Sequence, residues 1–399
     1  MDLLYTLSTF FSSFFSSSFT NYKLRGRLVA HSAAINRLVI SPDGCLMASG
    51  SSDEAVKIWN LNTMSLVQVL SDKHQRWGQI TALKWVEGHN GNSFIFVGSA
   101  RGRIVIYKWI GSDSVPQPVV NEAIFQENTP VEDLDFDCIT SSLAVSAMLG
   151  ELRVYKFDTK ALSKTPWVYH FKTDNGLSPT PRTIHFKESS EIVVYLLESG
   201  KIICFDAALG IKKWSKNLDT PIGHVALSKN GRLSLVDNLC TGFDLYDVAE
   251  LRLKQCFELP GKPNHVKDAT FVEGDSAVAC PDEGGYVYIF RNNASKPIEV
   301  LRHARGGVRR VAAHSSGHHH VLLSTASSSH KHEIYVWEKQ VDNRQPMQHH
   351  RRRTSSQRYI NLLTLCLAVW GTQEKWLHPP NPANGFACYK QAIGKLTPG

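Results

Sequence analysis

The chain has 399 residues, of which 42% are hydrophobic and 20% charged, a composition that excludes an intrinsically disordered protein and allows a large core. Its net charge of +8 is unevenly placed, because residues 341–399 hold eight Lys and Arg against two carboxylates, a net +6. The preceding residues therefore carry only +2, which argues against a nucleic-acid-binding body. The eight cysteines are scattered without a CxxC pair, which indicates a reducing compartment, the cytoplasm or nucleus.

Residues 1–21 form an apolar lead-in rich in Ser and Phe. This segment lacks the basic start and small-residue cleavage site of a signal peptide, and Asp2 has the wrong charge for one. We expect the lead-in to be disordered and a single folded domain to span 22–340.

An internal repeat organises the chain from residue 22 onward. Its clearest copy, 30–61, has an opening His, an apolar strand, a Ser-Pro-Asp-Gly turn, a second strand, an Asp turn and a third strand ending in Trp-Asn. Six further units end in a similar third strand. Intervals of 41 to 50 residues separate their equivalent aromatic residues, which are Trp59, Tyr107, Tyr155, Phe205, Tyr246, Phe290 and Trp337. Seven such units predict an all-β, seven-bladed propeller of four-stranded antiparallel blades.

These units resemble the WD40-repeat β-propeller family over residues 22–340. The resemblance implies a structural tetrad that ties neighbouring strands together, matched in the first unit by His31, Ser49 or Ser51, Asp53 and Trp59. Only Trp337 repeats the signature Trp, since the other units carry Tyr or Phe. We interpret His31 and Asp53 as members of a buried hydrogen-bonded set and not as an acid–base pair.

The two ends of the repeat region complement each other. One additional strand-like run, 22–30, precedes the first unit, and the last unit ends at its third strand, 333–339. We expect the N-terminal run to supply the outer strand that the last blade lacks, because this pairing removes an exposed edge and closes the ring.

The sequence contains no nucleophile elbow, P-loop, dinucleotide fingerprint or HExxH motif. The segment 206–214 resembles a quinoprotein repeat, but it occurs once, whereas that family repeats it in most blades. Nine of the seventeen His residues lie between His303 and His350 without Cys or carboxylate at ligand spacing, which favours a solvated loop over a zinc site. We therefore expect no catalytic residue, cofactor or metal.

A propeller binds partners through its loops and channel, because its strands are used in blade packing. An Arg beside an aromatic residue, as in the connection 72–79, is typical of an interface hot spot. The segment 302–310 is a basic entrance to the last unit. The candidate partner-binding residues are Arg76, Trp77, Arg302, Arg305, Arg309 and Arg310. The alternative, with Trp77 packed under its own loop and the arginines solvated, stays open.

Residues 341–399 form a basic, partly apolar tail without repeat character, which we expect to be disordered. Its uncharged run 359–370 would extend about 18 Å as a helix, too short for a hydrocarbon core of about 30 Å. Together with the basic residues before it, the segment 351–370 could still contact an anionic membrane surface. The three arginines 351–353 precede Thr354 and Ser355, which are candidate phosphoacceptors.

The leading hypothesis is a monomeric propeller that acts as a scaffold or adaptor for protein partners. The first alternative is a membrane-associated propeller similar to the exchange factors of vesicle coats, which carry a tail anchor. The second alternative is a propeller enzyme or quinoprotein.

Overall fold

Twenty-eight β-strands in seven four-stranded antiparallel sheets make up the part of the chain that the structure describes. This computed structural model describes residues 21–88, 92–110, 116–157, 162–171, 179–188, 190–197, 199–261, 265–303, 306–326 and 332–341. In each sheet, or blade, four consecutive strands pair in chain order, except that the first strand of the chain joins the last three. The predicted all-β, seven-bladed propeller is therefore confirmed.

The first strand, β1, spans Lys23–His31, and the blades follow in chain order. Blade one contains β2 (Ile35–Ile40), β3 (Leu46–Ser51), β4 (Ala55–Asn60) and β5 (Ser65–Ser71), and blade two contains β6 (Ile80–Glu87), β7 (Ser93–Ser99), β8 (Arg103–Trp109) and β9 (Gln117–Ala123). Blade three contains β10 (Val131–Asp137), β11 (Ser142–Ala147), β12 (Glu151–Phe157) and β13 (Leu162–His170), and blade four contains β14 (Pro181–Lys187), β15 (Glu191–Leu196), β16 (Lys201–Asp206) and β17 (Lys212–Asn217). Blade five contains β18 (Val225–Leu227), β19 (Leu233–Asp237), β20 (Gly242–Asp247) and β21 (Arg252–Glu258), and blade six contains β22 (Thr270–Val272), β23 (Ala277–Pro281), β24 (Tyr286–Arg291) and β25 (Pro297–Arg302). Blade seven combines β1 with β26 (Val308–Ser316), β27 (His319–Ala326) and β28 (His332–Gln340).

The first turn of blade one shows why the Ser-Pro-Asp-Gly sequence reverses the chain. The Ser41 hydroxyl and the backbone N–H of Cys45 donate to Asp43 Oδ1 at 2.5 and 2.9 Å. Gly44 takes a φ of 75°, a conformation that side chains with a Cβ rarely adopt. The turn 228–231 of blade five repeats this arrangement with Asn in place of Asp. Short polar side chains thus fix these hairpins locally.

Seven hydrophobic clusters fill the seven interfaces between adjacent blades. Between blades one and two, for example, Leu46 and Ile58 pack with Ile95 and Tyr107. Because every blade is covered on both faces, its second strand is almost wholly buried, and in β3 and β11 every residue is buried. Stability therefore resides mainly in the blade interfaces, at roughly 25 cal/mol per Å² of apolar surface removed from water.

The ring closes where β1 pairs with β28 in an antiparallel ladder that places Leu24 opposite Trp337 and Leu28 opposite Ile334. Leu28 is buried in the cluster that joins blades seven and one. Just before β1, the backbone N–H of Tyr22 donates to Glu299 Oε1 on the outer strand of blade six at 2.8 Å. The predicted closure by the N-terminal strand is confirmed.

Replacing Leu28 tests how much the closing strand contributes to stability. We expect Leu28→Ala to lower the free energy of unfolding by about 2 to 5 kcal/mol, because it removes buried methyl groups and leaves a cavity at the closure. Val29→Ala is the matched control, since Val29 lies next along the strand but is 64% exposed. Urea unfolding measures both. Equal losses in the two variants would contradict a specific role for the buried face of β1.

Candidate functional site

The ring has two faces that carry different loops. One face carries the segments that pass from blade to blade, and we call it the connection face. It includes the segment 72–79 and also the turn 148–150, which joins the second and third strands of blade three. The hairpin face, at the opposite end of the strands, carries turns such as 41–45 and 138–141. The innermost strands of the seven blades surround a channel with a volume of about 520 Å³.

The predicted tetrad residues of blade one are in direct contact at the connection face. His31 lies with Nδ1 2.9 Å from Asp53 Oδ2 and with Nε2 2.7 Å from Ser49 Oγ, which also accepts from Trp59 Nε1 at 3.1 Å. The structure thus selects Ser49, because the Ser51 hydroxyl donates to a backbone carbonyl instead. Burial by itself raises the pKa of Asp53, but the hydrogen bond and charge of His31, the backbone N–H of Ser32 and the charge of Lys57 together outweigh burial and lower the pKa to about 2.

Blade seven repeats the Ser–Trp bond of this arrangement, of which the sequence pattern indicates only Trp337. Trp337 Nε1 donates to Ser324 Oγ at 3.0 Å, and His303 Nε2 lies 3.3 Å from the Ser324 carbonyl oxygen. Ser324 and Ser49 occupy equivalent positions on the second strands of their blades. Each follows, by two residues, the residue that pairs with the tryptophan of the third strand. The feature of the sequence that could have predicted this bond is a Ser thirteen residues before the repeated Trp.

The other five blades have lost both halves of the Ser–Trp bond together. At the register of Ser49 they carry Val97, Val145, Val194, Val236 and Cys280. Their aromatic residues are Tyr or Phe, which lack an indole N–H. With the indole donor absent, an apolar residue at the register of Ser49 leaves no indole N–H unpaired, so the paired replacement is physically consistent.

A charged cluster crosses the channel at the connection face, and we call it the mouth cluster. It consists of Arg37, Glu132, Arg182, His224, Asp268 and Arg310. Arg310 Nη1 donates to Asp268 Oδ1 at 3.0 Å, and Arg182 Nη1 donates to Glu132 Oε2 at 2.6 Å. Arg37 Nη2 donates to the Glu132 carbonyl oxygen at 3.2 Å, so blades that are not neighbours are linked.

The mouth cluster keeps its charges although it is largely buried. Burial raises the pKa of Asp268, but the positive charge of Arg310 and then of the other basic members outweighs burial and holds the pKa well below its usual range. Burial lowers the pKa of His224 to about 4, which makes the imidazole neutral at pH 7. Three arginines thus face two carboxylates, a net charge of +1.

Carboxylates also join the inner strands of blades three and four. Asp133 Oδ2 accepts from the backbone N–H of Ile184 at 2.9 Å, and Asp135 Oδ2 accepts from that of Phe186 at 2.7 Å. His185, between these two residues, is 7% exposed and lies against Tyr195 with ring centroids 5.3 Å apart and the rings tilted by 31°. Neither of its ring nitrogens has a hydrogen-bond partner among the described residues. Burial lowers its pKa to about 4.

The predicted partner-binding residues are not brought together in one patch. Arg76 is exposed and bound bidentately to Asp72, with nitrogen–oxygen distances of 2.8 and 2.9 Å. Trp77 is only 2% exposed and packs edge-on against Tyr107, so the interface role predicted for it is corrected to a core role. Arg310 is likewise a member of the mouth cluster rather than a free loop residue.

The remaining candidates fall in different environments. Arg302 is exposed at the end of β25, and Arg309 is half-buried. Arg305, Thr354 and Ser355 lie outside the described residues. So do residues 1–20 of the predicted lead-in 1–21 and residues 342–399 of the predicted tail 341–399, including the segment 351–370. The expected solvated histidine loop is corrected in part, since His303 and His320 are buried while His318 is exposed.

One exposed apolar feature of the connection face was not anticipated. Met148 and Leu149, at the turn after β11, are 48% and 62% exposed. The Met148 backbone N–H donates to the Pro130 carbonyl oxygen at 3.0 Å, and Gly150 has a φ of 74°. The turn is therefore held by backbone bonds while its two large apolar side chains face solvent. The feature of the sequence that could have predicted this exposed pair is a Met-Leu dipeptide at a turn position where blade one carries Ser and Asp.

A double-mutant cycle tests the Ser–Trp bond of blade seven. We expect Ser324→Val to lower the free energy of unfolding by about 1 to 3 kcal/mol, because the buried indole N–H loses its acceptor. In a Trp337→Phe background the same change should cost clearly less, since no donor is left unpaired. Chemical unfolding of the four proteins measures the coupling. Strictly additive losses would show that the bond contributes no specific stability.

His185 makes a testable contribution to acid sensitivity. Its unfolded-state pKa is near 6.5 and its folded-state pKa is about 4, so the unfolded chain binds the proton first and stability falls as pH drops between these values. The variant His185→Phe keeps a ring beside Tyr195. We expect its free energy of unfolding, relative to the unchanged chain, to be higher at pH 5 than at pH 7.5 by roughly 2 kcal/mol. Urea unfolding at both pH values checks this. His170→Phe, at an exposed position, is the control, and a similar pH-dependent gain there would contradict the assignment.

Two absences hold for the residues that the structure describes. No group of three His, Cys, Asp or Glu side chains in them is placed to hold a metal ion. No helix within these ranges is long and apolar enough to cross a bilayer.

Comparison with known proteins gives matches that are confined to a short part of the chain. The family model "WD domain, G-beta repeat" matches residues 22–60, which comprise β1 and most of blade one. The small ribosomal subunit protein RACK1 of Medicago sativa is 48% identical over 42 residues, covering 10% of this chain and 13% of that protein. The target of rapamycin complex subunit LST8-1 of Arabidopsis thaliana is 40% identical over 58 residues, covering 14% and 19%.

A third relative, the periodic tryptophan protein 2 homolog of Caenorhabditis elegans, is 45% identical over 58 residues, covering 14% of this chain and 6% of that protein. The matched segments thus span less than a fifth of each relative. The family model falls on β1 and the blade that holds the complete tetrad, and the remaining described blades share its four-stranded architecture. These matches support a relationship of the chain to the WD40-repeat proteins, with the repeat model covering residues 22–60.

Proposed function

We propose that this protein is an interaction scaffold or adaptor that binds protein partners on its connection face. The observation that carries the proposal is the apolar pair Met148 and Leu149, held in solvent by a rigid turn. The backbone of this turn is already ordered, so little conformational entropy is lost when a partner binds. Exposed apolar side chains on such a backbone are well suited to a partner contact. Arg76, exposed on the same face, adds a polar contact of the kind enriched in interfaces.

The mouth cluster supports binding on the rim rather than inside the channel. Its arginines and carboxylates bond to each other across the channel entrance on the connection face. An inserted side chain would have to break buried charge-assisted bonds, which cost several kcal/mol when one partner is left unpaired. A partner that lies across the loops avoids this cost.

The role we propose is not catalytic. The residue types that enzymes use, such as the His31–Asp53 pair, here hold a hydroxyl and an indole in place within a blade. The names of two relatives support participation in assemblies, since one is a ribosomal subunit protein and the other a subunit of the target of rapamycin complex.

We assign this role to a reducing compartment, the cytoplasm or nucleus. The six cysteines of the described residues are all free thiols, and four of them are exposed. Exposed free thiols persist where glutathione keeps them reduced. Cell fractionation of the full chain tests the assignment, which recovery in a secreted fraction would exclude.

Affinity purification with two matched variants tests the connection face. We expect the Met148→Asp, Leu149→Asp variant to lose the partners that the unchanged chain retains, at least tenfold by quantitative mass spectrometry, because charges replace the apolar contact. The control is Ile139→Asp, since Ile139 is 78% exposed in the same blade but lies on the hairpin face. Partners retained equally by both variants, or lost equally from both, would contradict binding on the connection face.

A further inference from the structure

The hairpin face carries a groove between blades one and two that the proposed function does not use. Its volume is about 530 Å³. Blade one contributes the 41–45 turn and two Asn residues, and blade two contributes Trp85, Glu87 and Trp109 together with Asn92 and Ser93. We call it the hairpin groove. It opens to solvent between Pro42, Asp43 and Glu87, which are exposed.

Among the described residues, the charged side chains that line the hairpin groove are carboxylates, while Lys229 and His314 line the adjoining cavity that shares Glu87. Asp43 and Glu87 line the hairpin groove, and the described residues of its wall include no Lys, Arg or His. The pKa of the Cys45 thiol is raised, first by burial and then by the negative charge of Asp43. Arg25, bonded to the Asn62 carbonyl oxygen at 2.6 Å, is already held by Glu338. A chain with a net charge of +8 thus has a locally acidic groove.

The walls of the hairpin groove are apolar and aromatic. Trp85 and Trp109 meet edge to face with centroids 5.7 Å apart, and Leu46 and Pro42 complete the lining. Trp85 Nε1 donates to Ser93 Oγ at 3.0 Å, so its only donor is already satisfied. Trp85 and Trp109 are 7% and 3% exposed, so only a small part of each indole faces the groove, and the carboxylates of Asp43 and Glu87 are its charged acceptors.

We propose that the hairpin groove binds a basic side chain of a partner protein, arginine in particular. The aliphatic stem of arginine packs on apolar walls, while its planar head supplies five donors to carboxylate and amide oxygens. Both requirements are met here, since the acidic groups stand at the opening and the tryptophans line the wall. The site lies on the face opposite the connection face, so two partners can be held at once.

Titration calorimetry of the full chain with acetyl-Gly-Arg-Gly-amide tests the proposal. The neutral counterpart with citrulline in place of arginine has nearly the same shape, and we expect it to bind at least tenfold more weakly. Glu87→Gln should weaken the arginine peptide by about tenfold, because a charge-assisted bond is lost. Adding Asp43→Asn, which keeps the oxygen that closes the 41–45 turn, should weaken it further.

Glu127→Gln is the control, since Glu127 is an exposed carboxylate on the connection face. It should leave the titration unchanged. Equal binding of the citrulline peptide, or equal weakening by Glu127→Gln and Glu87→Gln, would overturn the proposal. The titration uses no connection-face partner, so its failure leaves the proposed function standing, and loss of that function leaves the hairpin groove untouched.

Discussion

The pairing of β1 with β28 is the interaction on which the rest of the structure depends. Every blade is buried on both faces, so an open ring would expose the apolar surfaces of blades one and seven together. The closing ladder prevents this and also removes a free strand edge. Side chains reinforce the same place, since Arg25 pairs with Glu338 and Lys339 pairs with Glu273 at 2.6 Å beneath the Tyr22 ring.

The two complete Ser–Trp bonds flank this closure. They occur in blade one and blade seven, which share the cluster around Leu28, whereas the five blades between them rely on apolar packing at the same register. Directional polar bonds specify a unique alignment better than apolar contacts do. Their position is consistent with a need to align the two chain ends, a task that the intervening blades do not have.

The blade count was predictable because it rests on local chemistry that repeats at a regular interval, and the closure was predictable because one extra strand precedes the first unit and the last unit lacks one. The glycines before the third strands illustrate this, since all have positive φ: Gly102, Gly150, Gly200, Gly242 and Gly285. The choice between Ser49 and Ser51 was not predictable, because residues two apart face the same side of a strand. Whether Trp77 faces solvent or the core was not predictable either, because its burial depends on Tyr107 in another strand. The mouth cluster joins Arg37 to Glu132, 95 residues later, which no local pattern encodes.

The closure also determines when the native ring can form during synthesis. Arg25 and its partner Glu338 are 313 residues apart, so the first strand leaves the ribosome long before its neighbour exists. At about 5 to 20 residues per second the interval is roughly 15 to 60 s. During that time the nascent β1 holds unpaired backbone groups and the apolar side chain of Leu28 in water. Among the described strands, the last to be synthesised thus pairs with the first, and the blade that they share is completed only after all the others.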